Sequence, residues 1–133
     1  MENRKYNPVG WFEIYVQDIE KAKKFYSEVF QVQLEDMQDP TEDADGSMKM
    51  AAFPMYQEEV YGAPGALVQM EGVPSGGMGT IVYFSSADCS VEEGRVEAAG
   101  GKIHKNKMSI GENGFISLCW DPDGNMFGIH SMN

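Results

Sequence analysis

The sequence contains only two cysteines, Cys89 and Cys119, among its 133 residues. They form no C-x-x-C pair and no disulfide framework, which is typical of proteins from a reducing compartment. No apolar run approaches the roughly 20 residues of a membrane-spanning helix. The opening residues 1–9 lack the apolar core of a signal peptide. We therefore expect a cytoplasmic protein that has no membrane partner.

Basic residues are scarce, because ten Lys and Arg stand against 21 Asp and Glu and give a formal net charge of -11. Nucleic acids and anionic membranes repel such a surface, so neither is expected as a partner. The sequence also lacks the phosphate-binding, dinucleotide-binding and zinc-protease motifs. An apolar content of 42% over 133 residues is ordinary for one globular domain, which we place at 1–133.

A strand followed directly by a helix is predicted for the stretch GWFEIYVQDIEKAKKFY, residues 10–26. Alternation up to residue 16 puts Trp11, Glu13 and Tyr15 on one strand face. Asp18 is placed to cap the helix, because its carboxylate can accept hydrogen bonds from the unpaired amides of the first turn. The helix carries an apolar stripe that suits the opposite strand face. The face with Glu13 is therefore left free of the helix.

The same order of elements occurs twice, in 8–71 and again in 79–132. In each segment one strand precedes one helix, and three further strands follow. A glycine-rich stretch, GVPSGGMG, separates the two segments, which we call the first and second modules. The predicted fold class is α+β, with two tandem βαβββ modules forming a curved mixed sheet, or cup. One module would leave a sheet face bare, so the modules either close one cup together or pair with a second chain.

The stretches WFEIYVQDIEKAKKFYSEVF, EEGRVEAAGGKI and DPDGNMFGIHS resemble the vicinal-oxygen-chelate superfamily, which includes glyoxalase I, bleomycin-resistance proteins and extradiol dioxygenases. The resemblance covers nearly the whole chain, including the internal duplication. It is nearest to the small glyoxalase-like members, whose chemistry is mostly unassigned. It implies a sheet-lined cup for a small organic molecule. It also implies a homodimer, because family members often complete their cups across chains.

Metal-dependent members of this superfamily place their ligands at cup-facing strand positions. The resemblance puts these positions at Trp11, at Thr80, at Gly128 and at either Ala66 or Val68. None of these side chains binds a divalent ion well, since such sites use imidazole nitrogen or carboxylate and amide oxygen. We therefore expect no cofactor, and a divalent metal would mean that the ligand positions are misassigned.

Two titratable residues remain as candidates for chemistry in the cup. Burial of Glu13 beside aromatic residues would raise its pKa and suit it to general acid or base catalysis. Glu13 can equally have a structural role in the sheet, in which its carboxylate pairs with a tyrosine, a backbone amide or a cationic side chain. His130 follows Gly128 by two residues and shares its strand face, from which it could face Glu13 across the cup. The alternative is an exposed histidine at the C-terminal edge.

Further residues are expected to line the cup and contact a ligand. They combine aromatic and apolar side chains with a few polar groups, the usual lining of a small-molecule pocket. Gly128, among bulky neighbours, would leave room in the floor. The same side chains would also suit a plain core or a dimer interface. The other members of the predicted ligand-binding set are Trp11, Tyr15, Thr80, Val82 and Phe84.

Three functions stay open from the sequence. The first is binding of a small organic molecule in the cup without the family's usual metal site. The second is a lyase or dioxygenase-like enzyme that uses Glu13 and His130. The third is a protein that sequesters a drug, which the bleomycin-resistance resemblance and the negative charge both suggest.

Overall fold

The computed structural model describes residues 6–40, 45–56, 58 and 60–133. Within these ranges each module contains a strand, a helix and three further strands. The elements of the first module are β1 (Val9–Tyr15), α1 (Ile19–Phe30), β2 (Glu35–Met37), β3 (Met48–Ala52) and β4 (Gly65–Met70). Those of the second module are β5 (Thr80–Ser85), α2 (Cys89–Val96), β6 (Lys102–Ser109), a 3-10 turn (Gly111–Asn113), β7 (Phe115–Trp120) and β8 (Met126–Ser131). The predicted α+β class with tandem βαβββ modules is confirmed.

The strands form one mixed sheet in the order β2-β3-β4-β1-β5-β8-β7-β6. The two modules meet at its centre, where β1 and β5 pair antiparallel. Each module also contains one parallel pair, β1 with β4 and β5 with β8. Of the two arrangements that the sequence left open, the structure shows modules that pair within one chain. The homodimer stays a prediction.

Both helices pack on the same side of the sheet, over separate apolar clusters. α1 covers a cluster that includes Ile19 and Leu67, and α2 covers one that includes Cys119 and Ile129. Strand residues alternate between this side and the other. Glu13 and its neighbours at positions 11 and 15 therefore lie on the side without helices, as the alternation in the sequence predicts.

The side without helices is the inner face of a curled sheet, and we call it the concave face. A flat sheet of eight strands would hold its edges about 34 Å apart, at a strand spacing of about 4.8 Å. In this chain the segments that follow the two edge strands, β2 and β6, meet. The carbonyl oxygen of Pro40 lies 3.5 Å from the point where a Cβ on Gly111 would sit. The sheet must curl for these segments to touch. It curls towards the side without helices, because Asn113, in the turn after β6, contacts His130 on that side, and the concave face therefore forms a cup.

Two global features of the sequence have a counterpart in the structure. Cys89 and Cys119 are both buried and form no disulfide. Neither of the helices in the described ranges has the length and apolar character that crossing a membrane requires.

The role of Asp18 as the N-terminal cap of α1 can be tested by mutation. Asp18 has an extended backbone conformation, and its Oδ1 accepts a hydrogen bond from the amide of Lys21 at 3.1 Å. Asp18→Ala removes this acceptor, so we expect the free energy of unfolding in urea to fall by about 1 kcal/mol. Asp18→Asn keeps an acceptor oxygen and should cost only a few tenths of that energy. Equal stability of Asp18→Ala and the wild type would contradict the assignment.

Candidate functional site

Glu13 lies on the concave face with only 9% of its surface exposed. Three neutral side chains donate hydrogen bonds to its carboxylate. Trp11 Nε1 donates to Oε2 at 3.1 Å. The hydroxyls of Tyr15 and Tyr83 donate to Oε1 at 2.9 and 3.2 Å. The carboxylate is therefore held through both of its oxygens.

Strand geometry explains why these four side chains meet. Trp11 and Tyr15 lie two residues before and after Glu13 on β1, so they share its face. Tyr83 comes from β5, whose antiparallel register with β1 sets Trp11 opposite Tyr83 and Glu13 opposite Ile81. Opposite residues of such a pair point to the same face. The contact between the two modules therefore builds the site.

The ring of Tyr83 lies over Gly128, its partner on the parallel strand β8. A Cβ at Gly128 would sit 2.2 Å from Cδ1 of this ring, far closer than two carbon atoms can approach. A glycine, with no Cβ, leaves space for the ring at this position. The room predicted at Gly128 is present, but the tyrosine ring fills it. The prediction that Gly128 leaves the floor of the cup open is therefore wrong.

Three residues of the predicted ligand-binding set lie on the helix side of the sheet. Because Glu13 pairs with Ile81, the odd-numbered residues of β5 belong to the concave face and the even-numbered ones do not. The ring of Phe84, for example, packs edge to face against Phe127 with centroids 5.9 Å apart. The prediction that these residues line the cup beside the aromatic residues of β1 is wrong. The residues concerned are Thr80, Val82 and Phe84.

Sequence reasoning misses Tyr83, although the sequence carries a signal for it. Trp11 lies seven residues before Asp18, the cap of α1. Counting seven residues back from Asp88, the cap of α2, reaches Ile81. Ile81 is therefore the counterpart of Trp11, and Tyr83 is the counterpart of the glutamate on β1. The site therefore joins Glu13 and Tyr83, which occupy equivalent positions in the two modules.

His130 shares the concave face with Gly128, as the alternation predicts, but it makes no pair with Glu13. It lies opposite Ser85 on β5, and its Nε2 is 2.6 Å from the backbone oxygen of Asn113. A carbonyl oxygen can only accept, so Nε2 carries a proton and donates it to this bond. The acid-base pair of Glu13 and His130 that the sequence allowed is not formed.

Burial raises the pKa of Glu13 above its ordinary value of 4.5, and the bonds from Trp11, Tyr15 and Tyr83 offset the rise only in part. Burial also raises the pKa of both tyrosine hydroxyls, and the negative charge of Glu13 raises it further. Both hydroxyls therefore keep their protons at neutral pH and remain donors. A buried carboxyl group between two phenols can hold or release a proton, as a general acid or base must.

The residues at the superfamily's metal positions do not fit a divalent ion. Trp11 offers only an N–H donor, and Ala66 and Val68 have no ligand atom. Gly128 lies beneath a tyrosine ring, Thr80 is on the helix side, and Ile81, the counterpart of Trp11, has no ligand atom. Among the residues that the structure describes, no three His, Cys, Asp or Glu side chains come together in a way that could hold a metal.

Apolar side chains cover much of the remaining concave face. In the first module Met50, Ala66 and Val68 are buried there, with Trp11 and Tyr15 packed against them. Two further methionines, Met37 and Met48, join this group. Strand pairing puts a second apolar group on the concave face of the second module, consisting of Met108, Ile116, Leu118, Trp120 and Met126. Thioethers and indoles therefore form the wall of the cup, and methionine side chains adapt readily to the shape of a ligand.

A groove of about 730 Å³ lies outside the concave face, between α1 and the glycine-rich segment before β5, and is open to solvent. Tyr15, Lys21, Phe25 and Thr80 are among the residues that line it. Thr80 thus borders a groove, although it does not reach the cup. None of the buried polar side chains in the described ranges lines this groove. Its polar side chains, among them Gln17, Asp18 and Lys21, are exposed to solvent, whereas Glu13 on the concave face is buried.

Comparison with known protein families agrees with this architecture. The sequence profile of the Glyoxalase/Bleomycin resistance protein/Dioxygenase superfamily matches residues 9–129. The chain therefore belongs to this superfamily. No curated protein matches the chain in sequence.

Several solved structures share the fold at low sequence identity. A Streptomyces coelicolor methylmalonyl-CoA epimerase is 13% identical, with a TM-score of 0.64, and the match covers 96% of this chain and 98% of that chain. The Mycobacterium tuberculosis methylmalonyl-CoA epimerase is 13% identical, with a TM-score of 0.68 over 100% and 93% of the two chains. A hypothetical protein from Bacillus halodurans is 11% identical, with a TM-score of 0.68 over 94% of each chain. At these identities the likeness establishes the fold alone.

Gly128→Ala tests the contact between Tyr83 and Gly128. The added methyl group would meet the ring and push it away from Glu13. Overpacking of this kind costs about 1–3 kcal/mol, so we expect the free energy of unfolding in urea to fall by about that amount. Gly77→Ala is the matched control, since nothing lies within 4 Å of its added carbon, and it should change stability by less than about 0.5 kcal/mol. Equal stability of the two variants would show that the ring does not lie over Gly128.

The raised pKa of Glu13 should make stability depend on pH. Between the ordinary value of 4.5 and the raised value in the folded state, the folded chain holds a proton that the unfolded chain has released. The contribution of Glu13 to stability is therefore largest below this window and falls as the pH rises through it. Glu13→Gln cannot titrate, so the free energy of unfolding of the wild type should fall relative to that of Glu13→Gln as the pH is raised.

Urea titrations from about pH 4 to about pH 8 measure this difference. Glu35→Gln removes an equal charge from an exposed position on β2 and should keep the pH profile of the wild type. A difference that grows in favour of the wild type with rising pH would mean that the pKa of Glu13 is lowered, contrary to the expectation.

Proposed function

We propose that this chain binds a small organic molecule in the cup formed by its concave face, next to Glu13, and does so without a divalent metal. The observation that carries the proposal is the carboxylate of Glu13, which three neutral donors hold in place. The positions at which relatives place metal ligands supply no carboxylate or imidazole that could join it. The fixed polar group of this cup is therefore a hydrogen-bonded carboxylate.

The composition of the wall supports an organic ligand. Binding sites for small molecules combine mostly apolar side chains with a few fixed polar groups, and this face has both. A ligand of the size of naphthalene that loses about 200 Å² of apolar surface gains about 5 kcal/mol, before the entropic cost of association. The apolar contacts alone therefore give dissociation constants of roughly 0.1 mM or weaker. Tighter binding needs a polar contact in addition.

Acid-base catalysis at the same site is the second candidate, and the raised pKa of Glu13 favours it. The partners of Glu13 in such chemistry would be Tyr15 and Tyr83, because the His130 ring is bonded to the backbone of Asn113. Lyase or dioxygenase activity that depends on His130 loses its support for this reason. Drug sequestration remains as one form of the binding function.

Calorimetry with 1-naphthylmethanol, a neutral aromatic alcohol, tests the binding function on protein dialysed against EDTA. We expect one site per chain, with a dissociation constant that one equivalent of Zn²⁺, Ni²⁺ or Mn²⁺ changes by less than about twofold. Leu118→Glu places a charge on the concave face opposite Gly128 and should weaken binding by about tenfold or more. Val91→Glu adds the same charge to the exposed surface of α2 and should leave binding unchanged.

Protein purified without chelators should also contain less than about a tenth of an equivalent of transition metal by plasma mass spectrometry. Two results would contradict the proposal. Binding that occurs only after a metal is added would show that the cup uses metal after all. Binding that survives Leu118→Glu would move the ligand to the groove beside α1.

A further inference from the structure

The charge of Glu13 has no cationic partner among the described residues. Its three hydrogen-bond donors are neutral, and the ion pairs of the described chain join other residues. The lysines that the strand register places on the concave face, Lys102 and Lys105, lie on β6, four strands away from β1. A buried carboxylate without a counter-ion is costly, because desolvation is not repaid by an opposite charge. This cost raises the pKa of Glu13, and a cation bound in the cup would reduce the cost and favour the ionised form.

The hydrogen-bonding capacity left around Glu13 consists of acceptors. An ionised carboxylate offers about two acceptor positions on each oxygen. On Oε1 both positions accept hydrogen bonds, from the hydroxyls of Tyr15 and Tyr83. On Oε2 one position accepts a hydrogen bond from the indole of Trp11. One position on Oε2 therefore remains, while the indole proton and both hydroxyl protons are already donated. Such a site accepts an N–H group from a ligand and disfavours a carboxylate or a phosphate.

The wall of the cup also suits a cation. The two tryptophans of the chain, Trp11 and Trp120, both lie on the concave face. The face of an indole ring attracts a cation within about 6 Å, and Trp11 packs against an apolar cluster that includes the polarisable side chain of Met50. The net charge of -11 would raise the concentration of cations near the surface. That long-range effect is screened over about 8 Å at physiological salt, whereas a buried pair is screened much less.

We infer that the ligand of the cup is an organic cation, an aromatic or apolar ammonium compound whose N–H group bonds Oε2 of Glu13. This inference rests on the proposed binding function and adds the class of ligand and the residue that selects it. The ammonium group supplies the ion-pair partner that the protein itself does not provide. The apolar part of the ligand packs against the methionines and tryptophans of the wall.

Three compounds that share one ring system and differ in charge test the inference by calorimetry at neutral pH. They are 1-naphthylmethylammonium, 1-naphthylmethanol and 1-naphthoate. We expect the ammonium compound to bind about tenfold or more tightly than the alcohol, and the carboxylate to bind about tenfold or more weakly than the alcohol. The preference should persist in about 0.5 M salt, because the pair with Glu13 is buried.

Two variants distinguish the effect of the Glu13 carboxylate on ligand preference from the effect of the overall charge. In Glu13→Gln the ammonium compound and the alcohol should bind with equal affinity, within about threefold. In Glu28→Gln, which removes one exposed carboxylate from α1 on the other side of the sheet, the preference for the ammonium compound should remain. Near-ultraviolet circular dichroism checks that both variants are folded. The comparison of three compounds in high salt on the wild type does not depend on either variant.

The outcomes of these experiments distinguish failure of this inference from failure of the binding function on which it rests. Equal affinity of the wild type for the ammonium compound and the alcohol would overturn the inference and leave the binding function standing. A preference that survives Glu13→Gln, or that disappears in high salt, would also overturn it, because the overall negative charge would then be the cause. If none of the three compounds binds at roughly millimolar concentration, both the inference and the binding function fail.

Discussion

The antiparallel pairing of β1 with β5 is the interaction on which the rest of the structure depends. It joins the two modules into one sheet and sets Glu13 opposite Ile81. That register brings the hydroxyl of Tyr83 to a carboxylate 70 positions earlier in the chain. A slip of one residue would exchange the two faces of one strand and turn its concave residues toward the helices. The site and the core of the fold therefore rest on the same register.

Close packing of an aromatic ring over a glycine occurs on both sides of this central pair. Gly128 lies under the ring of Tyr83 on the concave face, and Gly65 lies against the ring of Phe12 on the helix side. A Cβ at Gly65 would sit 2.5 Å from that ring. Each contact crosses a parallel strand pair, one in each module. The ring fills the space that the missing side chain leaves, as the density of protein interiors requires. Tyr83 is in this way held where its hydroxyl can reach Glu13.

Local features of the sequence were enough to predict most of the fold. The alternation on β1, the cap at Asp18 and the internal duplication each depend on neighbouring residues, so they can be read from the chain itself. The residues of β5 are harder to assign to a face. If the start of the strand is taken one residue too early, every side chain moves to the other face. The bond between His130 and Asn113 joins a strand to a turn and has no sequence pattern. For this reason the sequence predicts the correct face for the residues of β1 and the wrong face for Thr80, Val82 and Phe84.

The sign of the fixed charge decides which ligands a cup of this superfamily can take. A metal ion is a concentrated positive charge, and it attracts the oxygen atoms of carbonyls, carboxylates and phosphates. In this chain the residues at the metal positions of the superfamily do not suit a metal, and the carboxylate of Glu13 accepts hydrogen bonds from Trp11, Tyr15 and Tyr83. In the proposed site a ligand therefore meets acceptor oxygens where a metal-containing member of the superfamily presents a cation. On this proposal, a change of a few strand residues exchanges selection for oxygen-rich anions with selection for N–H donors, while the sheet and both helices stay in place.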